Sequence, residues 1–137
     1  MSFVLDNSVA HAWCFEDEQT PAVTKLLDRL TQIGARAPLL WPLEALNGLL
    51  IAERQRRLDA SKRAQLTGFL RELPVVLDLE TADWTATAPL AERFNLSVHD
   101  AAYLELAQRR RLPLASLDGD LPNAAVARGL SVLGPAP

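Results

Sequence analysis

The sequence predicts an α/β fold with three layers, in which a short, mainly parallel central sheet lies between helices. Two observations carry that expectation. Short continuous apolar runs, the mark of strands buried on both faces, recur along the chain: Phe3-Val4-Leu5, Ala37 to Trp41, Val75 to Leu79, Leu114-Ala115-Ser116 and Leu130 to Leu133. Between them lie longer segments of helical periodicity, and regular strand–helix alternation argues a parallel sheet with crossover helices. The 137 residues contain no repeat, low-complexity tract or internal linker, so one domain over residues 1–133 is expected, with 134–137 a disordered tail.

Each element has a local reason. The first strand stops at Asp6-Asn7-Ser8, and Val9, Ala10, Trp13 and Cys14 then recur at helical spacing. After the acidic break Glu16-Asp17-Glu18, Thr20 caps a second helix with Pro21 at its first position. Its apolar stripe is Val23, Leu26, Leu27, Leu30 and Ile33, and Gly34 ends it. Pro42 opens the third helix, with Leu43, Leu46, Leu50 and Ile51 expected on one buried face and Arg54 to Arg57 as its basic end. Ala60 to Leu73 forms a fourth, with Leu66, Phe69, Leu70 and Leu73 facing inward, and Pro74 stops it. Thr81 is expected to cap a helix that runs from Trp84 to Phe94. Pro89 inside it predicts a kink or a split into two short helices. Asn95 suits a left-handed stop. Ser97 to Asp100 reads as a capping box for the sixth helix, which ends in Arg109, Arg110 and Arg111. A short helix over Asn123 to Arg128 ends at Gly129.

Composition excludes several classes of function. Apolar residues make up 49% and charged residues 23%, ordinary values for a globular protein. Cys14 is the single cysteine. It can form no intrachain disulfide and no multi-cysteine zinc site. The start, Met1 to Asp6, has no basic leader, and no apolar run approaches the ~20 residues of a membrane span. A cytoplasmic protein is expected. The net charge of −3 is not the footprint of bulk electrostatic binding to nucleic acid.

The chemistry lies in acids at element junctions. Asp6 ends the first strand, Glu44 and Asp100 each lie in the first turn of a helix, and Asp118 and Asp120 follow the fourth strand. Each alone suits a helix N-terminus, where a negative charge gains about 0.3–1 kcal/mol. Together they change meaning, because the carboxyl ends of parallel strands share one edge and ligands bind there. Carboxylates gathered at that edge repel, and need protons or a cation. Oxygen-only donors favour Mg²⁺ or Mn²⁺ over zinc, and such ions serve phosphodiester hydrolysis. Asn7, Ser8, Asn47 and Ser116 could add neutral hydrogen bonds. His99 adjoins Asp100 without a partner histidine.

With these segments the chain resembles the PIN-domain nucleases, and among them the small VapC-type toxins of bacterial toxin–antitoxin pairs. The resemblance rests on Phe3-Val4-Leu5-Asp6-Asn7-Ser8, Glu44-Ala45-Leu46-Asn47, Leu96 to Tyr103 and Leu114 to Asp120. Ser116 stands where threonine is common, and His99 where an aromatic residue or threonine is frequent. The resemblance implies metal-dependent cleavage of structured RNA (tRNA or rRNA). Asp6, Glu44, Asp100 and Asp118 would be the characteristic acids, Asp6 and Asp100 the first Mg²⁺ ligands, and Asp120 an accessory one. It further implies a homodimer and an inhibitory antitoxin. Ser8, Asn47, Ser116, Arg54 and Arg109 are candidate substrate contacts, with Arg56, Arg57, Arg110 and Arg111 beside the last two.

Other readings are weaker. A phosphatase of the haloacid-dehalogenase type needs a second aspartate where Ser8 stands. A signalling receiver domain needs a late lysine, and the lysines here are Lys25 and Lys62. A housekeeping PIN ribonuclease without an antitoxin, or a PIN-like module that binds without cutting, remain alternatives.

Overall fold

A computed structural model describes residues 2–80 and 83–134. Its strands are β1 (Val4–Leu5), β2 (Ala35–Pro38), β3 (Val75–Asp78), β4 (Leu114–Ala115) and β5 (Val132–Leu133). They form one sheet in the order β3-β2-β1-β4-β5, with every neighbouring pair parallel. The helices are α1 (Asn7–Trp13), α2 (Pro21–Ile33), α3 (Trp41–Arg54), α4 (Ala60–Glu72), α5 (Trp84–Phe94), α6 (Val98–Arg110) and α7 (Asp120–Ala127). A 3₁₀ turn, Glu16–Glu18, occupies the acidic break after α1.

The strand order explains the layers. From β1 the chain steps to β2 and then β3 in one direction. It then crosses back to β4 and continues to β5 in the other. Right-handed crossovers place α1 to α4 on one face of the sheet and α5 to α7 on the other. The direction reverses between β1 and β4, the topological switch point of the sheet. The α/β class, the parallel sheet and its helical layers are as the sequence predicts.

The core follows the apolar runs. Phe3, Val4, Leu5, Leu114 and Ala115 are fully buried. Helix α6 carries an unbroken buried stretch from Ala101 to Ala107 and packs against β1, β2 and β4. Thr20 caps α2 through the Val23 N–H (3.2 Å), and Gly34 ends it at φ +71°. Asn95 and Arg111 end α5 and α6 in the left-handed region.

Several details differ from expectation. β2 starts at Ala35, directly after Gly34, and Trp41 already belongs to α3. α7 starts earlier, at Asp120, and β5 is shorter. Pro89 does not divide α5 into separate helices. Pro89 and Thr85, whose carbonyl loses its partner, are both exposed, so water can replace the missing bond. The buried face of α5 packs along α6 and holds the helix together. The expected cap Thr81 lies outside the described residues. Asp83 caps α5, its Oδ1 accepting from the Thr85 N–H at 2.9 Å. The tail from 135 onward also lies outside them.

The buried face of α3 is the largest correction. Trp41, Ala45, Leu49 and Ala52 face inward, while Leu43, Leu46 and Ile51 are exposed. This helix is apolar almost all round, so periodicity could not choose a face. Close packing on α1 chose the side with the small residues. A Cβ added at Gly48 would stand 3.1 Å from His11 Nδ1.

An ion-pair cluster ties α6 to the end of β3. Asp78, with a side chain only 2% exposed, accepts on Oδ2 from Arg109 (3.0 Å) and Arg110 (3.1 Å). Its Oδ1 accepts from the Glu80 N–H, and Arg109 also holds Glu105 and Glu80. Burial alone would raise the Asp78 carboxyl, but these donors hold it below its ordinary value. Asp78→Asn should lower stability by about 2 kcal/mol, because it leaves two arginines without their shared acceptor. Urea unfolding measures this directly, and a change under about 0.5 kcal/mol would show the cluster to be mere surface pairing.

Candidate active site

Asp6 is where the site begins. It ends β1 at the switch point, and its N–H bonds to the Ala115 carbonyl of β4 (3.0 Å). It occupies the N-cap position of α1 without capping it. Its Oδ2 instead accepts from Ser8 Oγ (2.6 Å) and Ser116 Oγ (2.9 Å). Both hydroxyls are committed. Ser8 Oγ accepts from the Leu117 N–H and Ser116 Oγ from the Asp118 N–H, so each spends its own proton on Asp6. Two serines thereby fasten the Asp6 carboxylate to the loop after β4.

The other acids reach the same place from three directions. Asp6, Glu44, Asp100 and Asp118 line one open pocket of about 470 Å³, together with Ser8. Ser97 caps α6 through the Asp100 N–H (3.0 Å) and aims that helix start at the pocket. Ser97 therefore caps the helix as expected, and Asp100 lines the pocket. Glu44 enters from the first turn of α3, and its Oε1 accepts from the Tyr103 hydroxyl at 2.6 Å.

The electrostatics show how closely the acids crowd. Burial pushes the Asp6 carboxyl up, and Glu44 and Asp118 push it the same way against its serine hydrogen bonds. Asp100 is pushed up to about 6, chiefly by burial and then by Asp6 and Asp118. Tyr103 is raised as well, by burial and by its carboxylate partner, and stays protonated. The donor chemistry fits a hard divalent cation: anionic oxygens, with the most buried of them already fastened. Among the described residues, no three His, Cys, Asp or Glu side chains form a group that could hold a metal ion as they stand.

Not every candidate joins the pocket. Ser116 is 2% exposed and sits behind Asp6, so it supports the carboxylate and is no substrate contact. Asp120 is exposed and outside the pocket lining, with its N–H 3.4 Å from Asp118 Oδ1. Asn47 is exposed and also outside it, because Gly48 takes the position facing α1. Arg54 is exposed at the end of α3. Arg109 is not a free cation for a substrate: Asp78, Glu80 and Glu105 hold its guanidinium. Arg57 is similarly engaged, paired with Asp17 and Glu18 and lying over the Phe15 ring. His99 is exposed.

Two polar residues, His11 and Glu18, line the pocket without being expected there, and a third, Tyr103, reaches it through Glu44. Tyr103 lies one turn after Asp100, a spacing that places both on one helix face. His11 lies one turn after Asn7 and Ser8 by the same rule and lines the pocket. Burial lowers its pKa below the usual histidine value. Glu18 lines the pocket too, 3.7 Å from His11 Nε2, and no local signal in the sequence marks it.

An acidic pocket at the switch point of a five-stranded parallel sheet, served by the first turns of α3 and α6, defines the class. The chain belongs to the PIN domain family, whose pattern it matches over residues 3–127. No curated protein matches it in sequence. Solved structures of similar fold include PAE2754 from Pyrobaculum aerophilum, 22% identical with a TM-score of 0.71, where the match covers 96% of this chain and 90% of that one. FitAcB from Neisseria gonorrhoeae is 16% identical with a TM-score of 0.65, and 96% of each chain is covered. VapC20 from Mycobacterium tuberculosis, described as a sarcin-ricin loop cleaving toxin, is 14% identical with a TM-score of 0.61. That match covers 98% of this chain and 100% of that one.

Proposed function

We propose that this protein is a Mg²⁺-dependent endoribonuclease acting as the toxin of a toxin–antitoxin pair. The observation that carries the reading is the convergence of Asp6, Glu44, Asp100 and Asp118 on one pocket, where the neighbouring acids raise the proton affinity of Asp6 and Asp100. Asp6, Asp100, Asp118 and Glu44 would hold Mg²⁺, with Mn²⁺ as a substitute. The bound ion supplies polarisation of a phosphoryl oxygen and an activated water for phosphodiester hydrolysis.

The remaining roles belong to the chain itself. Ser8 and Ser116 keep Asp6 fixed, and the imidazole of His11 offers a hydrogen bond to a phosphate from the far side of the pocket. Structured RNA, tRNA or rRNA, is the substrate class, in keeping with the description of VapC20. Arg54 and Arg56, both exposed, would be the arginines to contact it. An acidic pocket suits a basic antitoxin segment. An apolar groove of about 330 Å³ between α3, α4 and β3, with Leu46 exposed beside it, suits a homodimer contact. No described helix is long and apolar enough to cross a membrane, and a toxin of cellular RNA acts in the cytoplasm.

One observation favours a second reading, a PIN-like module that binds without cutting: among the described residues, no three His, Cys, Asp or Glu side chains form a group that could hold a metal ion. Induced expression of wild type beside Asp100→Asn, with total RNA run on a gel, separates the readings. Growth arrest and a discrete RNA fragment from wild type alone are expected. No arrest and no fragment from folded wild type would favour the binding module. Cleavage without arrest would mark a housekeeping ribonuclease.

A further inference from the structure

Tyr103 joins the two helices that deliver acids to the pocket. It lies on α6 one turn after Asp100 and is fully buried. Its hydroxyl donates to Glu44 Oε1 at 2.6 Å, and Glu44 belongs to α3 on the opposite layer. This hydrogen bond ties α3 in one layer to α6 in the other, behind Glu44 and Asp100. It is short, as expected when the acceptor is charged.

A glutamate that is to bind a cation must give up freedom about three side-chain bonds, which costs binding energy. A bond made in advance reduces that loss. The phenol takes Oε1, so Oε2 is the oxygen left to the pocket.

Resting on the metal-nuclease reading above, we propose that Tyr103 is a positioning residue for metal binding: it restrains Glu44 through Oε1 and presents Oε2 to the cation. The rival account makes Tyr103 an ordinary core residue whose hydroxyl merely found an acceptor. The two differ in what removal of one oxygen does. Outer partners of metal ligands typically contribute 10–100-fold to metal affinity, whereas a core phenol contributes nothing to it.

The test is Mn²⁺ binding measured by isothermal titration calorimetry on the full chain, without RNA. Wild type, Tyr103→Phe, Glu44→Gln and the double variant are compared. Tyr103→Phe should bind Mn²⁺ about tenfold more weakly at unchanged stoichiometry. The double variant should bind no more weakly than Glu44→Gln alone, because the phenol acts through that carboxylate. Glu44→Asp keeps the charge but withdraws it from Tyr103, and should show a similar loss even if Tyr103→Phe fails to fold. Unchanged affinity in Tyr103→Phe and Glu44→Asp overturns the proposal and leaves the nuclease reading standing. Losses that multiply in the double variant overturn it too, since Tyr103 would then act through the fold. A wild type that binds no Mn²⁺ removes the metal-nuclease reading, and this inference with it.

Discussion

Asp6→Asn should abolish RNA cleavage, by more than about a hundredfold, and at the same time raise the melting temperature of the metal-free protein. The two effects have one cause. Asp6 is 5% exposed and its carboxylate is held in a pocket with three other acids. Burying that charge costs stability until a cation compensates it. Asparagine keeps the shape and an oxygen that can accept from Ser8 and Ser116, so the loop after β4 stays fastened. It removes the negative charge that a divalent ion needs. Stability gained as activity is lost is the pattern expected of a residue kept for chemistry. A thermal melt in chelator and a cleavage assay on the same preparation test both halves. A variant that loses activity and also melts lower would show that Asp6 serves the fold.

The metal-free protein should melt about 3 °C higher at pH 5.0 than at pH 7.5, and most of that difference should vanish in Asp100→Asn. Asp100 titrates at about 6 in the folded chain against an ordinary 3.8. Between those values the folded state binds more protons than the unfolded one, so stability falls as pH rises. The contribution is whole below 3.8 and gone once pH has passed through 6. Asp6 is shifted in the same direction. Two groups work the opposite way: Asp78 is held low, so its window lies below 3.8, whereas burial lowers His11 from its ordinary 6.5, so His11 offsets part of the effect within this range. Solvent reaches part of the Asp100 side chain, and screening reduces the expected effect to about 1 kcal/mol. Adding Mg²⁺ at pH 7.5 should recover the lost stability in wild type and not in Asp100→Asn. An Asp100→Asn variant with the same pH profile as wild type would mean that the acids do not crowd one another as the pocket requires.

Much of this site was legible before any coordinates, because its acids sit at junctions that parallel sheets bring to one edge. Asp6 follows an apolar run, Asp100 follows a serine cap, and Asp118 follows another apolar run. Those are local signals, and the three acids line one pocket. Ser116 illustrates their limit. Its place beside Asp118 was visible, but not that a residue 110 positions away would claim its proton.

What the sequence determined by itself was the alternation of strands and helices, most of the helix stops and the set of acids at the carboxyl edge. These depend on neighbours a few residues apart, through backbone capping, side-chain periodicity and the conformational limits of glycine, asparagine and proline. What only the tertiary structure decided was which face of α3 turns inward, which arginines are spoken for, and how Glu44 is held. An almost uniformly apolar helix carries no periodic signal, so close approach at Gly48 settled its orientation. Arg109 looked like a free cation in the sequence. Asp78, thirty-one residues earlier, is brought against it when β3 and α6 pack. Tyr103 and Glu44, fifty-nine residues apart, meet because opposite helical layers converge at the switch point, a contact that no local pattern encodes.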